Sequence, residues 1–226
     1  MGKIILKVKK ISKSFNNGEK DLKVLKELSL EVSEKEVVTI TGKSGSGKST
    51  LLNILGSLDQ PDNGEIQIDG LDILRMNNRE LARLRNKKIG FVFQFHHLLS
   101  EFTVLENVLI PVWIGNYDHE KKDEALFLFK ELNLISKIDC YPNQLSGGER
   151  SRVALIRGII NKPKLLFADE PTGNLDEENA LALIDLLKKI NNDFNQSIIL
   201  TTHNPDVAKL GHNRYDLKHG FLKKMS

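Results

Sequence analysis

The run Gly42-Lys43-Ser44-Gly45-Ser46-Gly47-Lys48-Ser49-Thr50 constrains this chain more than any other stretch. The apolar segment Val37-Val38-Thr39-Ile40 precedes it and Leu51-Leu52-Asn53-Ile54-Leu55 follows, so the local reading is strand, glycine-rich turn, helix. That is the setting in which G-x-x-x-x-G-K-[ST] forms a phosphate loop. Glycines let successive backbone N–H groups converge on one anion, and the helix behind them adds its positive N-terminal end. Lys48 has the length and charge to reach β- and γ-phosphates, and the Ser49 hydroxyl suits Mg²⁺. A flexible Gly/Ser linker is the bland alternative. The four fixed positions recur by chance in only about one chain of this length in a hundred, and a linker has no need of the flanking strand and helix. The stretch reads as a nucleoside-triphosphate site.

Strands are expected at Ile4–Val8, Leu28–Val32, Val37–Ile40 and Glu65–Ile68, the first two joined by the polar segment Asn16–Lys23, giving an opening β-rich lobe. Asp62-Asn63-Gly64 is a turn signal. Arg79–Arg85 is charged and helical, and Ile89–Phe93 reads as a buried strand. From Phe95 to Asn161 the pattern becomes helical, with Lys121–Leu132 presenting Ala125, Leu126, Leu128 and Phe129 on one face and a second helix from about Glu149 to Asn161. Lys164–Ala168 and Ser197–Thr201 are short continuous apolar runs, the mark of strands buried on both faces. Between them, Asp176 caps a helix with Ala180, Leu183, Ile184, Leu187 and Ile190 at 3–4 spacing. Strand–helix alternation on both sides of a helical middle implies an α/β chain: a parallel sheet with an inserted helical lobe.

Composition narrows the function classes. The formal charge is only +3 over 226 residues, with no basic block, so no nucleic-acid partner is expected. The lone Cys140 fits a reducing compartment and reads as packing. The longest apolar stretch, Val108 to Gly115, contains Pro111 and falls far short of the roughly 20 residues of a membrane span. Ile4-Ile5-Leu6 is broken by Lys7, and position 6 lacks the Ser/Thr of a myristoylation signal. A cytoplasmic protein is expected, held at a membrane only through a partner.

Two further constellations carry chemistry. Lys164-Leu165-Leu166-Phe167-Ala168-Asp169-Glu170 is an apolar strand ending in two carboxylates. Such a strand delivers its C-terminal end to the ligand crevice of an open α/β sheet, which places Asp169 to hold Mg²⁺ and Glu170 to act as general base on water. An acidic turn before Pro171 would explain the pair alone, but not its company with a phosphate loop. In Leu145-Ser146-Gly147-Gly148-Glu149, Ser146 and Glu149 form a capping box. Capping does not demand two glycines, whereas close approach to an anion does. Both readings stand together.

Phosphate loop, Leu-Ser-Gly-Gly-Glu and strand-Asp169-Glu170, in this order, resemble the ATP-binding-cassette ATPases over essentially the whole chain. The resemblance implies a P-loop NTPase fold: a RecA-like parallel core with an N-terminal antiparallel β lobe (together about 1–93 and 162–226) and an inserted α-helical subdomain (94–161), all one domain over 1–226. It implies that Phe15 stacks on adenine, that Gln94 senses Mg²⁺ and touches a membrane partner, that Asn174-Leu175-Asp176 crosses a dimer interface, and that His203 contacts the γ-phosphate. ATP would lie between the phosphate loop of one copy and Ser146–Glu149 of the other, so a homodimer is required.

Gln94-Phe95-His96-His97-Leu98-Leu99, continuing through Glu101-Phe102-Thr103-Val104-Leu105-Glu106-Asn107-Val108 to Ile110-Pro111, is similar to the ATPase subunits of the bacterial lipoprotein-releasing system. Gly173-Asn174-Leu175-Asp176 is shared with the macrolide-exporter and cell-division types. The resemblance implies integral membrane permeases of the LolC/LolE-like kind, contacted near Gln94–Leu99, with this subunit peripheral on the cytoplasmic face of the inner membrane. His96-His97 is expected to pack against the partner rather than bind metal. Three positions depart from the usual pattern: Ser151 for Gln, Arg157-Gly158 for Arg-Ala, and Lys218-His219-Gly220 for an acidic residue before Gly. A soluble cassette acting on ribosomes or DNA would have two cassettes or coiled-coil insertions. A small-molecule kinase would leave Leu145–Glu149 unexplained.

Overall fold

The computed structural model describes residues 2–16, 21–115 and 120–225; residues 17–20 of the expected polar connection lie outside them. In chain order the elements are β1 (Ile4–Asn16), β2 (Asp21–Ser33), β3 (Val37–Thr41), α1 (Lys48–Leu55), β4 (Asn63–Ile68), β5 (Leu71–Asp72), α2 (Asn78–Lys88) and β6 (Ile89–Val92). There follow α3 (Val104–Gly115), α4 (Glu120–Glu131), α5 (Gly147–Ile159), β7 (Leu165–Asp169), α6 (Glu177–Phe194), β8 (Ser197–Thr202), α7 (Pro205–Ala208), β9 (Asn213–Lys218) and β10 (Phe221–Lys224).

Two sheets result. The order β2-β1-β4-β5 is antiparallel throughout, with Leu6 opposite Val32 and Val8 opposite Leu30. The second, β10-β9-β3-β8-β7-β6, is parallel except for the β9–β10 hairpin. β1 and β2 run well beyond the stretches expected from apolar alternation. Register shifts between Val8 and Ile11, beside Lys10 (φ 48°) and Glu27 (φ 51°), reset which residues face inward. A bulge breaks the period-2 pattern without ending the strand.

The central strands are buried on both faces, and their alternation divides one apolar run between two cores. Leu165 and Phe167 of β7, Ile199 of β8 and Val38 and Ile40 of β3 join a cluster with Leu51, Leu52, Ile54 and Leu55 of α1 and Leu6, Val8 and Ile66 of the antiparallel sheet. Helix α1 is thereby sandwiched between the sheets. Leu166 and Ala168, Ile198 and Leu200, and Val37 face the other way, into a cluster with Val108 of α3, Phe129 of α4, Val153 and Ile156 of α5, and Leu183 and Leu187 of α6. Close-packed backbones hold α5 on the sheet: a Cβ on Gly90 of β6 would lie 2.1 Å from the Gly158 carbonyl oxygen. A Cβ on Gly158 would in turn lie 3.2 Å from the Phe91 carbonyl oxygen of β6 and 3.1 Å from Leu166 Cδ1, a structural reason for glycine there.

Candidate functional site

Strand order concentrates the chemistry. β3, β8, β7 and β6 are successive neighbours, all parallel, so their C-terminal ends share one edge. The phosphate loop follows β3, His203 follows Thr201-Thr202 at the end of β8, Glu170 follows Asp169 at the end of β7, and Gln94 lies just past β6. A cavity of about 610 Å³ on this edge is lined by Phe15, Ser44, Gly45, Gly47, Lys48, Ser49, Thr50, Gln94, Glu170 and His203, together with Val24. Of the residues expected to surround nucleotide in one copy, these are brought together. Val24 carried no sequence signal beyond being apolar.

The loop is built for an anion. Gly45 (φ 75°) and Gly47 (φ 99°) adopt left-handed backbone, and a Cβ on Gly47 would press within 2.7 Å of Val24. Gly47 caps α1 with no side-chain bond, so the orphan N–H groups of the first helical turn have no side-chain acceptor there. Among the described residues the buried Ser46 hydroxyl finds no hydrogen-bond partner. Lys48, 7% exposed, donates to the carbonyls of Gly42 at 2.8 Å and Lys43 at 3.2 Å. A phosphate fits this cradle of donors.

Glu170 sits at the centre. Its side chain is 12% exposed, with Oε1 3.2 Å from Lys48 Nζ. Oε2 accepts from the His203 backbone N–H at 3.1 Å and lies 2.8 Å from His203 Nδ1. A carboxylate only accepts, so Nδ1 carries the proton of that bond. Glu170 is left-handed at φ 45°, a costly conformation for a side-chain-bearing residue, and its N–H is tied to the Thr201 carbonyl at 3.1 Å. Thr201 also donates its hydroxyl to Asp169 Oδ1 at 2.6 Å, orienting that carboxylate. Thr201 supports both acids, and a threonine at the end of an apolar run carries no signal of that role in the sequence. Gln94 is held by Asn174, whose amide donates to the Gln94 carbonyl at 3.2 Å while Gln94 Nε2 donates to Asn174 Oδ1 at 3.3 Å.

Ser146–Glu149 and Asp176 do not line this cavity. They form two capped helix starts that abut. Ser146 Oγ accepts from Glu149 N–H at 3.2 Å, and Glu149 Oε2 accepts from Ser146 N–H at 2.7 Å. The Ser146 N–H is the main reason the Glu149 carboxyl is held below the usual range, with the Ser146 hydroxyl and Lys137 adding to it. Asp176 caps α6 through Asn179 N–H at 2.9 Å, which likewise lowers its pKa. A Cβ on Gly148 would lie 2.0 Å from Asn179 Oδ1. Gly148 is therefore needed for packing within the chain, and of the pair only Gly147 has no such crowding.

Of the adjacent histidines, His97 stacks edge-on to Phe93 at 5.2 Å. His96 turns inward, its Nε2 2.7 Å from Ser151 Oγ, while Phe95 is 71% exposed. Of the pair expected to pack against a partner, His96 (φ 57°) therefore has its ring on Ser151 of α5 within this chain.

A profile of the ABC transporter family matches residues 25–173. The lipoprotein-releasing system ATP-binding protein LolD of Buchnera aphidicola is 43% identical over 97% of this chain and 96% of its own length. The protein of the same name from Bdellovibrio bacteriovorus is 44% identical over 93% and 96%. Among solved structures, the dimeric bacterial ABC transporter cassette MJ0796 superposes with a TM-score of 0.90 at 38% identity, covering 98% of this chain and 99% of that one. A dimeric post-hydrolysis state of the same cassette with ADP and Pi gives 0.89 at 37%.

Proposed function

The chain belongs to the ABC transporter family, and we propose that it is the ATP-hydrolysing subunit of a complex that releases lipoproteins from the bacterial inner membrane. The observation that carries ATP hydrolysis is the arrangement of Lys48, Glu170 and His203 on one cavity edge with the phosphate cradle. Glu170 contacts both Lys48 and His203. A γ-phosphate in the cradle would compete for Lys48 and His203, which frees the carboxylate to take the proton of an attacking water. Lys48 then compensates phosphate charge, and Phe15 stacks against the base. Ser49, Gln94 and Asp169 would hold Mg²⁺, which when bound neutralises charge on the phosphates.

Ser146–Glu149 and Asp176 serve the second copy. They lie outside the cavity of their own chain, present a capped helix start with the uncrowded Gly147, and leave each site incomplete without a face-to-face homodimer. The dimeric MJ0796 cassette supports this reading.

The lipoprotein-release assignment rests on the relatives of that name. A groove of about 480 Å³ lined by Phe93, His97, Pro111 and the 75% exposed Ile114, with Arg85 and Arg157 among its polar residues, suits an amphipathic segment of a LolC/LolE-like permease. Among the described residues no helix is long and apolar enough to cross a membrane, so attachment on the cytoplasmic face would come through that partner. Affinity purification from detergent-solubilised membranes tests the assignment. Multi-span partners retaining lipid-modified proteins are expected. Partners without lipoproteins would indicate an exporter or division complex instead, and recovery only from the soluble fraction would refute membrane work.

A further inference from the structure

The segment after Gln94 is anchored to α5 by bonds that a short motif cannot display. The Ser151 hydroxyl has one proton and donates it to the Gly147 carbonyl one turn back, at 3.1 Å. Ser151 must therefore accept from His96, so Nε2 of His96 carries the proton of the 2.7 Å contact. The result is a directed chain, His96 to Ser151 to Gly147, ending on the first residue of α5. Ser151 is 1% exposed, so water cannot readily replace a lost bond there. Beside it, the Arg157 guanidinium donates to the carbonyls of His96 and His97, the latter at 2.6 Å. On the other flank the buried Asn107 of α3 accepts from Leu99 N–H at 2.7 Å, and its Nδ2 shares two protons among the carbonyls of Leu99, Phe102 and Thr103, each at 3.0 Å.

We infer that His96 and Ser151 are positioning residues that couple the Gln94–Leu99 segment to the N-terminus of α5, so that displacement of the segment moves Ser146–Glu149 as one body. The bonds run between the cavity of the chain's own phosphate site, where Gln94 lies, and the helix start offered to the second copy. Ser151, where a Gln is usual in the resembling cassettes, gives up some helix propensity but gains a bonding role. It is the short acceptor that leaves room for the imidazole. This inference rests on the face-to-face dimer of the proposed function.

The test is steady-state ATP hydrolysis by the purified full chain across protein concentrations, for wild type, Ser151→Ala, His96→Asn and the double variant. Asn tolerates the left-handed backbone at position 96 but is too short to reach Ser151. Each single variant is expected to lower kcat about tenfold, the scale of one buried hydrogen bond, with the KM for ATP unchanged because the phosphate loop is untouched. The double variant should be no slower than the slower single one, since both cut the same chain. Thermal unfolding with and without ADP separates this from misfolding: ADP must still stabilise each variant as it does wild type. Additive losses, unchanged kcat, or a rise in KM alone would overturn the coupling. Full wild-type turnover under conditions where light scattering with ATP present finds monomer alone would instead remove the dimer on which it rests.

Discussion

Replacing Glu170 by Gln tests the centre of the site, because that carboxylate does two jobs in different states. Within the chain it is the anionic partner of Lys48 at 3.2 Å, and both groups are largely buried. Removing one partner of a buried pair costs about 3–5 kcal/mol when the other is stranded. Lys48 keeps the Gly42 and Lys43 carbonyls at 2.8 and 3.2 Å, so the expected loss is nearer 1–2 kcal/mol. For a chain of this size that is a fall in Tm of roughly 2–8 °C. Nucleotide should reverse the order. With no carboxylate to displace, phosphate meets an unpaired Lys48, and the nucleotide-induced rise in Tm is expected to be larger in the variant than in wild type. Turnover, which needs the base, should fall at least about a hundredfold. Differential scanning fluorimetry with and without ATP, run beside a phosphate-release assay, measures both. A variant that turns over within tenfold of wild type, or gains less stability from ATP, refutes the competition between Glu170 and the γ-phosphate.

Other perturbations follow from single contacts. Phe15→Ala should raise the KM for ATP about tenfold with kcat nearly unchanged, since stacking contributes about 1–3 kcal/mol per base; Phe15→Trp should restore the KM, and GTP should show the same pattern because stacking tolerates either purine. Gly90→Ala forces a methyl to within 2.1 Å of the Gly158 carbonyl and should destabilise the chain by about 1–3 kcal/mol, seen as a lower urea midpoint with an unchanged m-value. Hydrogen bonds from Lys3 and Lys88 lower the Asp69 pKa from 3.8 to about 2. A depressed folded pKa stabilises above the unfolded value and loses that contribution as pH falls through the folded one. Asp69→Asn, which suits the left-handed backbone there (φ 49°), should therefore cost on the order of 1 kcal/mol at pH 7, allowing for solvent screening at the exposed Lys3. The gap to wild type in urea melts should narrow between pH 4 and pH 2.

What the sequence determined by itself was everything encoded by near neighbours along the chain. The phosphate loop was legible because glycines at 45 and 47 and the helix after them act over nine residues. Asp176 and the Ser146/Glu149 box were legible because a cap spans three or four positions. The strands at 165–169 and 197–202 were legible because burial on both faces leaves a continuous apolar run. Only tertiary structure decided which ends meet. The order β3-β8-β7-β6 brings Lys48 to Glu170 across 122 residues and Glu170 to His203 across 33, and no periodicity carries that information. Nor could spacing reveal that Gly148 makes room for Asn179, that Gly158 makes room for β6, or that His96 turns inward to a serine 55 residues away. Local conformation follows from sterics and bonds within a turn or two, whereas strand order and close backbone approach follow from packing the whole chain at once.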